Sequence, residues 1–220
     1  MSGGLDVKSI RTLEDKAKSL GLDERTLIEN ASSNLYQSLD NLSLGKRVAV
    51  IAGRGNNGAD VLSCARKLVS RGYDVRVIIT AQKELGVEAG VQLNILERIM
   101  VPIQILNHGN FDDISRTVNM SDFVLEGILG IGIKGEVTPF LKDVIHIVNS
   151  SNKKVISCDI PSGLSPDEGK VLGAAIKADY TITFIAPKRG FFLNEGPNLC
   201  GKVIVVDIGI SKDALSKVND

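Results

Sequence analysis

Apolar residues along the chain recur with two different spacings. Up to about residue 40 they fall three and four positions apart. Leu13, Ala17 and Leu20 share one helical face ahead of Gly21, and Leu27, Ile28, Ala31, Leu35 and Leu39 form a second stripe. Ser9 and Asp23 stand where these two helices need N-caps. From Lys46 onward, short continuous apolar runs alternate with amphipathic stretches. The runs at 47–52, 75–80, 103–106, 123–129, 154–158, 180–185 and 202–208 are rich in β-branched residues and predict strands. Helices are predicted between them at 59–70, 89–98, 111–119 and 139–150. Strands apolar on both sides need cover on both faces, which points to a parallel sheet. The pattern therefore predicts an α/β fold, a Rossmann-like doubly wound and mostly parallel sheet with helices on both faces and an N-terminal helical extension. One domain spans 1–220, with no repeat or linker. The stretch after Asp159, with Pro161, Gly163, Pro166, Gly169 and Gly173, reads as an ordered functional loop.

Composition narrows the classes. Lys plus Arg and Asp plus Glu balance at 26 each, so no net field draws the chain to nucleic acid or anionic lipid. Cys64, Cys158 and Cys200 are widely spaced, and only His108 and His146 accompany them, which disfavours a zinc site. His108 reads as a loop residue and His146 as part of an apolar helix. The N-terminus lacks signal-peptide character, and no apolar stretch nears the ~20 residues of a membrane span. A cytoplasmic protein with no membrane partner is expected.

Three segments at predicted strand ends carry candidate chemistry, and ligands of open α/β sheets sit at those ends. The first is Gly53-Arg54-Gly55-Asn56-Asn57-Gly58-Ala59-Asp60. Its glycines and following helix suit either phosphate binding or a tight strand-to-helix turn. A dinucleotide fingerprint also needs a carboxylate at the end of the second strand. That strand ends Ile78-Ile79-Thr80, which argues against an ordinary NAD dehydrogenase. Asn56 and Asn57 are either ligands for a cation or carboxamide, or turn residues. The second segment is Leu125-Glu126-Gly127-Ile128-Leu129-Gly130-Ile131-Gly132-Ile133-Lys134-Gly135. A carboxylate in an apolar strand is costly unless partnered, so Glu126 marks a site or a solvated strand end. The third is Asp159-Ile160-Pro161-Ser162-Gly163, where Asp159 is an acid/base, a hydroxyl ligand or a loop cap.

Taken together the segments resemble a known family. Leu27-Ile28-Glu29-Asn30-Ala31, Gly55-Asn56-Asn57-Gly58-Ala59-Asp60, Asp159-Ile160-Pro161-Ser162-Gly163 and Ala186-Pro187-Lys188 are similar, in order, to motifs of the NAD(P)H-hydrate epimerases, the YjeF N-terminal-domain family. The resemblance implies epimerisation of the R and S forms of hydrated NADH or NADPH at nicotinamide C6. A separate dehydratase would then repair the S form, and a homodimer is implied. It places the substrate on Asn56, Asn57, Gly58, Ala59 and Asp60, on Gly130, Ile131, Gly132, Ile133, Lys134, Gly135 and Glu136, and on Asp159. It implies a potassium ion at Asn57, Glu126 and Ser162. Asp159 is expected as acid/base, with Glu126 and Lys134 assisting. Two departures stand out: Glu126 where the family has Asp, and Ala59 where it has Gly. They keep a second class open, a catalytically inactive nucleotide-binding or protein-interaction module of the same fold.

Overall fold

The computed structural model describes residues 3–81, 83–106 and 111–217; His108 lies outside the described residues. Two helices lead, α1 (Val7–Ser19) and α2 (Glu24–Leu42). Strands and helices then alternate: β1 (Arg47–Ala52), α3 (Asn56–Val69), β2 (Asp74–Ile79), α4 (Val87–Arg98), β3 (Ile103–Ile105), α5 (Phe111–Met120), β4 (Phe123–Gly127), α6 (Pro139–Asn149) and β5 (Lys154–Cys158). After a long ordered loop come β6 (Tyr180–Phe184), a 3-10 turn at Arg189–Phe192, α7 (Gly196–Leu199), β7 (Lys202–Val206) and α8 (Lys212–Leu215). All the strand pairs are parallel, in the order β3-β2-β1-β4-β5-β6-β7.

β1 shows why both faces need cover. Val48, Val50 and Ala52 point into a core shared with α1, α2, α3 and α4, whereas Ala49 and Ile51 point into a second core with α5 and α6. The period-2 alternation of one fully apolar strand feeds two layers. The chain reverses direction across the sheet between β1 and β4, so a crevice opens above their carboxyl ends.

Two expectations change in detail. Asp6, not Ser9, caps α1: its carboxylate accepts from the Ser9 backbone N at 2.8 Å, while Asp23 caps α2 as expected. The third helix starts at Asn56 rather than residue 59, so Asn56 and Asn57 occupy its first turn. Asparagine reads as a turn residue by propensity, but Gly55 takes the extended N-cap role one position earlier. Ala59 is therefore helical and buried in the main core, and its methyl points away from the crevice. The three cysteines are free and buried, and burial pushes their thiols up. His146 lies exposed on α6.

Candidate active site

A cavity of about 530 Å³ fills the crevice, within the range of small-molecule sites. Its walls come from four places. Arg54, Gly55, Asn56, Asn57 and Asp60 follow β1, and Ile128 to Ile133 follow β4. Asp159 and Phe184 close the floor at the ends of β5 and β6. Arg11, Glu14, Asp15 and Lys18 of α1 form the fourth side.

The glycines of the first loop have separate reasons. A side chain at Gly53 would strike the Ile128 carbonyl, and one at Gly58 the Gly53 carbonyl, so these two let three backbone segments close together. Gly55 is different: its φ of −94° suits any residue, and no described residue lies near where its side chain would point. What it leaves open is the space above the α3 N-terminus, where unpaired N–H groups and the helix dipole favour an anion.

Asp159 ends β5 in an unusual conformation. Its φ is +63°, and Ile160 N donates to Cys158 O across it at 2.7 Å, a positive-φ γ-turn that is rare and strained. Ile185 repeats the arrangement after β6, with φ +68° and Ala186 N donating to Phe184 O at 2.7 Å. The two turns bring the Asp159 carboxylate against the end of β6 and the loop beyond it. Thr183 Oγ1 and Phe184 N donate to its Oδ1 at 3.2 and 3.1 Å, and Lys188 Nζ pairs with the same oxygen. Among the described residues nothing bonds Oδ2, so one oxygen is anchored and the other is left for a ligand.

Lys188 is the residue that sequence reasoning left without a role. It is 1% exposed, and its ammonium donates to Asp159, to Thr183 Oγ1 at 2.8 Å and to Phe184 O at 3.3 Å. The only signal was the Pro187-Lys188 pair after an apolar strand, which a solvated lysine would show equally.

Glu126 sits elsewhere than expected. It is fully buried, faces its register partner Ser157, and accepts from Ser157 Oγ (2.5 Å), Ser162 N (3.1 Å), Ser162 Oγ (2.5 Å) and Ile128 N (3.2 Å). Burial raises its carboxyl above the ordinary range while those hydrogen bonds pull it back. With every lone-pair position used, and no place in the cavity wall, it orients the β4 and β5 loops rather than meeting a substrate. The relay continues outward. Leu129 N donates to Ser162 Oγ at 2.9 Å, and Asn57 Nδ2 donates to Leu129 O at 2.9 Å. Asn57 Oδ1 is buried with no hydrogen-bond partner among the described residues.

The remaining expected site residues divide. Gly130, Ile131, Gly132 and Ile133 line the cavity with Asn56, Asn57 and Asp60. Gly58 and Ala59 lie in α3 behind the wall. Lys134, Gly135 and Glu136 are exposed beyond it, where Glu136 pairs with Lys142 at 3.1 Å and Gly135 turns at φ +73°. Lys134 is thus not brought to Asp159 in this structure.

Comparison with known proteins adds a second line of information. The family model described as YjeF-related protein N-terminus matches residues 24–190. A protein of Elusimicrobium minutum named NAD(P)H-hydrate epimerase is 35% identical over 217 residues, covering 96% of this chain and 97% of that one. One of the same name from Cenarchaeum symbiosum is 34% identical over 215 residues, with 96% and 97% covered. A bifunctional NAD(P)H-hydrate repair enzyme of Thermofilum pendens is 33% identical over 95% of this chain but only 40% of its own length. A yeast protein of known crystal structure shares the fold, with a TM-score of 0.77 and 21% identity over 92% of this chain and 87% of that one.

Proposed function

The chain belongs to the family of YjeF-related N-terminal domains, and from that premise we infer that it is an NAD(P)H-hydrate epimerase. It interconverts the R and S forms of hydrated NADH or NADPH at nicotinamide C6. That carbon carries a hydroxyl and the ring nitrogen. Inverting it requires a planar or ring-opened species, so a group must take and return a proton beside it. Asp159 carries the reading. Its Oδ1 is fixed by Thr183, Phe184 and Lys188 while Oδ2 remains for the hydroxyl proton at the cavity floor. The open space over Gly55 and the α3 N-terminus suits the pyrophosphate, with Arg11 and Arg54 nearby and unpaired among the described residues.

A potassium ion is part of this proposal, held by Asn57 with Glu126 and Ser162 in support. The orphaned Asn57 Oδ1 fits, since a hard cation takes oxygen ligands. Such an ion supplies positive charge beside the phosphate-binding turn. Glu126 and Ser162 reach Asn57 through Leu129 and hold its amide in place. Replacing potassium by choline in the buffer is expected to lower the melting temperature, and Asn57→Ala to remove that dependence.

We also propose a homodimer in the cytoplasm, with the S epimer passed to a dehydratase on a separate chain. Among the described residues no helix is long and apolar enough to cross a membrane. The activity is tested by supplying purified R-hydrate with an S-specific dehydratase as reporter. Turnover proportional to this protein is expected. Thermal stabilisation by the hydrate without turnover would replace the enzyme with a binding module.

A further inference from the structure

Glu14, Asp15, Asp60 and Asp159 line the cavity, and the last two stand in opposite surroundings. Asp159 has a buried cation and two further donors. Asp60, on the second turn of α3, is 9% exposed and has no hydrogen bond or ion pair among the described residues. It stands where the main cavity opens into a side pocket of about 80 Å³, whose apolar lining includes Leu27, Ile28, Phe184 and Ile208. Arg11 and Arg54 line the same cavity without pairing with it, and the lysines around it are taken by other carboxylates. Glu14 and Lys18 approach from α1, Glu24 from α2 and Asp159 from the end of β5, with Lys188 behind it. Lys18 is taken by Glu24 at 2.5 Å, and Lys188 by Asp159. Burial first, then the charges of Asp159, Glu14 and Glu24, push the Asp60 carboxyl well above the usual carboxylate range. A carboxyl raised in this way, standing in the same cavity as a cation-paired carboxylate, is suited to give a proton.

We propose that Asp60 is the general acid of the reaction, giving a proton to the ring nitrogen while Asp159 takes one from the C6 hydroxyl. This assignment rests on the epimerase reading. Asp159 Oδ2 accepts the hydroxyl proton, and the O–H electron pair becomes the second bond of a C6 aldehyde. The C6–N1 bond breaks, and its electron pair passes to N1, which takes the Asp60 proton. N1 is conjugated to the ring carboxamide and is a poor leaving group without that proton, which is why an acid is needed. Rotation about C5–C6 presents the other carbonyl face. N1 then re-forms its bond to C6 and returns its proton to Asp60, and the new hydroxyl recovers the proton from Asp159. Each carboxyl ends as it began, with no oxidant or co-reactant consumed.

Asp60→Asn separates this role from binding, because it replaces a neutral acid by a neutral amide of the same shape. With R-hydrate and the dehydratase reporter, kcat is expected to fall about 10²–10³-fold, while KM and the hydrate-induced thermal shift stay near wild type. A variant that keeps kcat within ~3-fold, or loses only KM, overturns the assignment. If the variant does not fold, wild-type kcat against pH decides: a fall on the alkaline side is expected, and a flat profile from about pH 6 to 9.5 overturns it. Absence of wild-type turnover overturns the epimerase reading and this role together. Wild-type turnover beside a fully active Asp60→Asn overturns only the role.

Discussion

Lys188, 1% exposed, would be an uncompensated buried charge without Asp159, and the Asp159 carboxylate at the cavity floor would lose its cation without Lys188. Lys188→Met and Asp159→Asn are each expected to cost about 3–5 kcal/mol in urea unfolding, and the double variant less than their sum. Both single variants should lose turnover, so the stability measurement distinguishes a charge pair from an inert neighbour. Asn at 159 tolerates the positive φ, so the backbone turn itself is not the variable. Asp60 runs the other way. Its carboxyl is raised in the fold, so the folded state binds more protons than the unfolded one, and its contribution to stability falls as pH rises above the ordinary carboxylate range. Asp60→Asn is expected to raise the melting temperature near neutral pH and leave it unchanged in strong acid. A residue that costs stability and sits in the cavity is one whose retention calls for a functional reason.

At the scale of elements, α1 lies outside the segment matched by the family model yet forms a whole side of the cavity. It is tied to the lysine-bearing loop. Leu5 N donates to Pro187 O and Arg189 N to Leu5 O, both at 2.8 Å, and Val7 N donates to Asp167 at 2.8 Å. Ile10, Leu13 and Ala17 then bury its inner face in the main core. Arg11, with no partner among the described residues, is expected to act on binding: Arg11→Ala should raise KM by roughly 10-fold with kcat little changed, the worth of a hydrogen bond to a charged group. The turn before α3 gives a sharper contrast. Gly53→Ala and Gly58→Ala meet backbone carbonyls and should unfold at lower temperature, whereas Gly55→Ala meets no protein atom. It should melt like wild type and bind the hydrate more weakly. Equal effects from all three would remove the ligand argument for Gly55.

Across the whole molecule, acid stability depends on ion pairs that join elements. Burial alone would raise the Glu29 carboxyl, but hydrogen bonds from Lys67 and Arg66, both at 2.5 Å, win and bring it to about 2, tying α2 to α3. Hydrogen bonds from Arg47 and Lys46 likewise hold Asp122 at about 2, tying the start of β1 to the turn before β4. Groups lowered in the fold stabilise it above their unfolded values and lose that contribution as pH falls toward 2. The melting temperature is therefore expected to drop between about pH 4.5 and 2, and Glu29→Gln to shallow that drop. Glu29 is more than a third exposed, so salt should weaken its part.

The layers and the edge that carries the candidate site are legible in the apolar pattern of the chain. β-branched runs bury on both sides, which requires a parallel sheet with two covers, and strand ends marked by glycine and a carboxylate fall at its ligand-binding edge. β1 and β5 have the very bounds their apolar runs predict, because local pattern and tertiary burial agree there. The motif order also sufficed to suggest the family. Which carboxylate is saturated, which is unpaired and which is anchored follows from the packing of distant segments. Glu126, Asp60 and Asp159 look alike in the chain, but a carboxylate's protonation and reach depend on neighbours from distant segments. Ser157 and Ser162 saturate the first, no described residue pairs the second, and Lys188 fixes one oxygen of the third. Likewise no local pattern sets a carboxylate-bearing γ-turn at positive φ, since that conformation is unfavourable on its own and persists because the end of β6 and Lys188 beyond it hold Asp159 there.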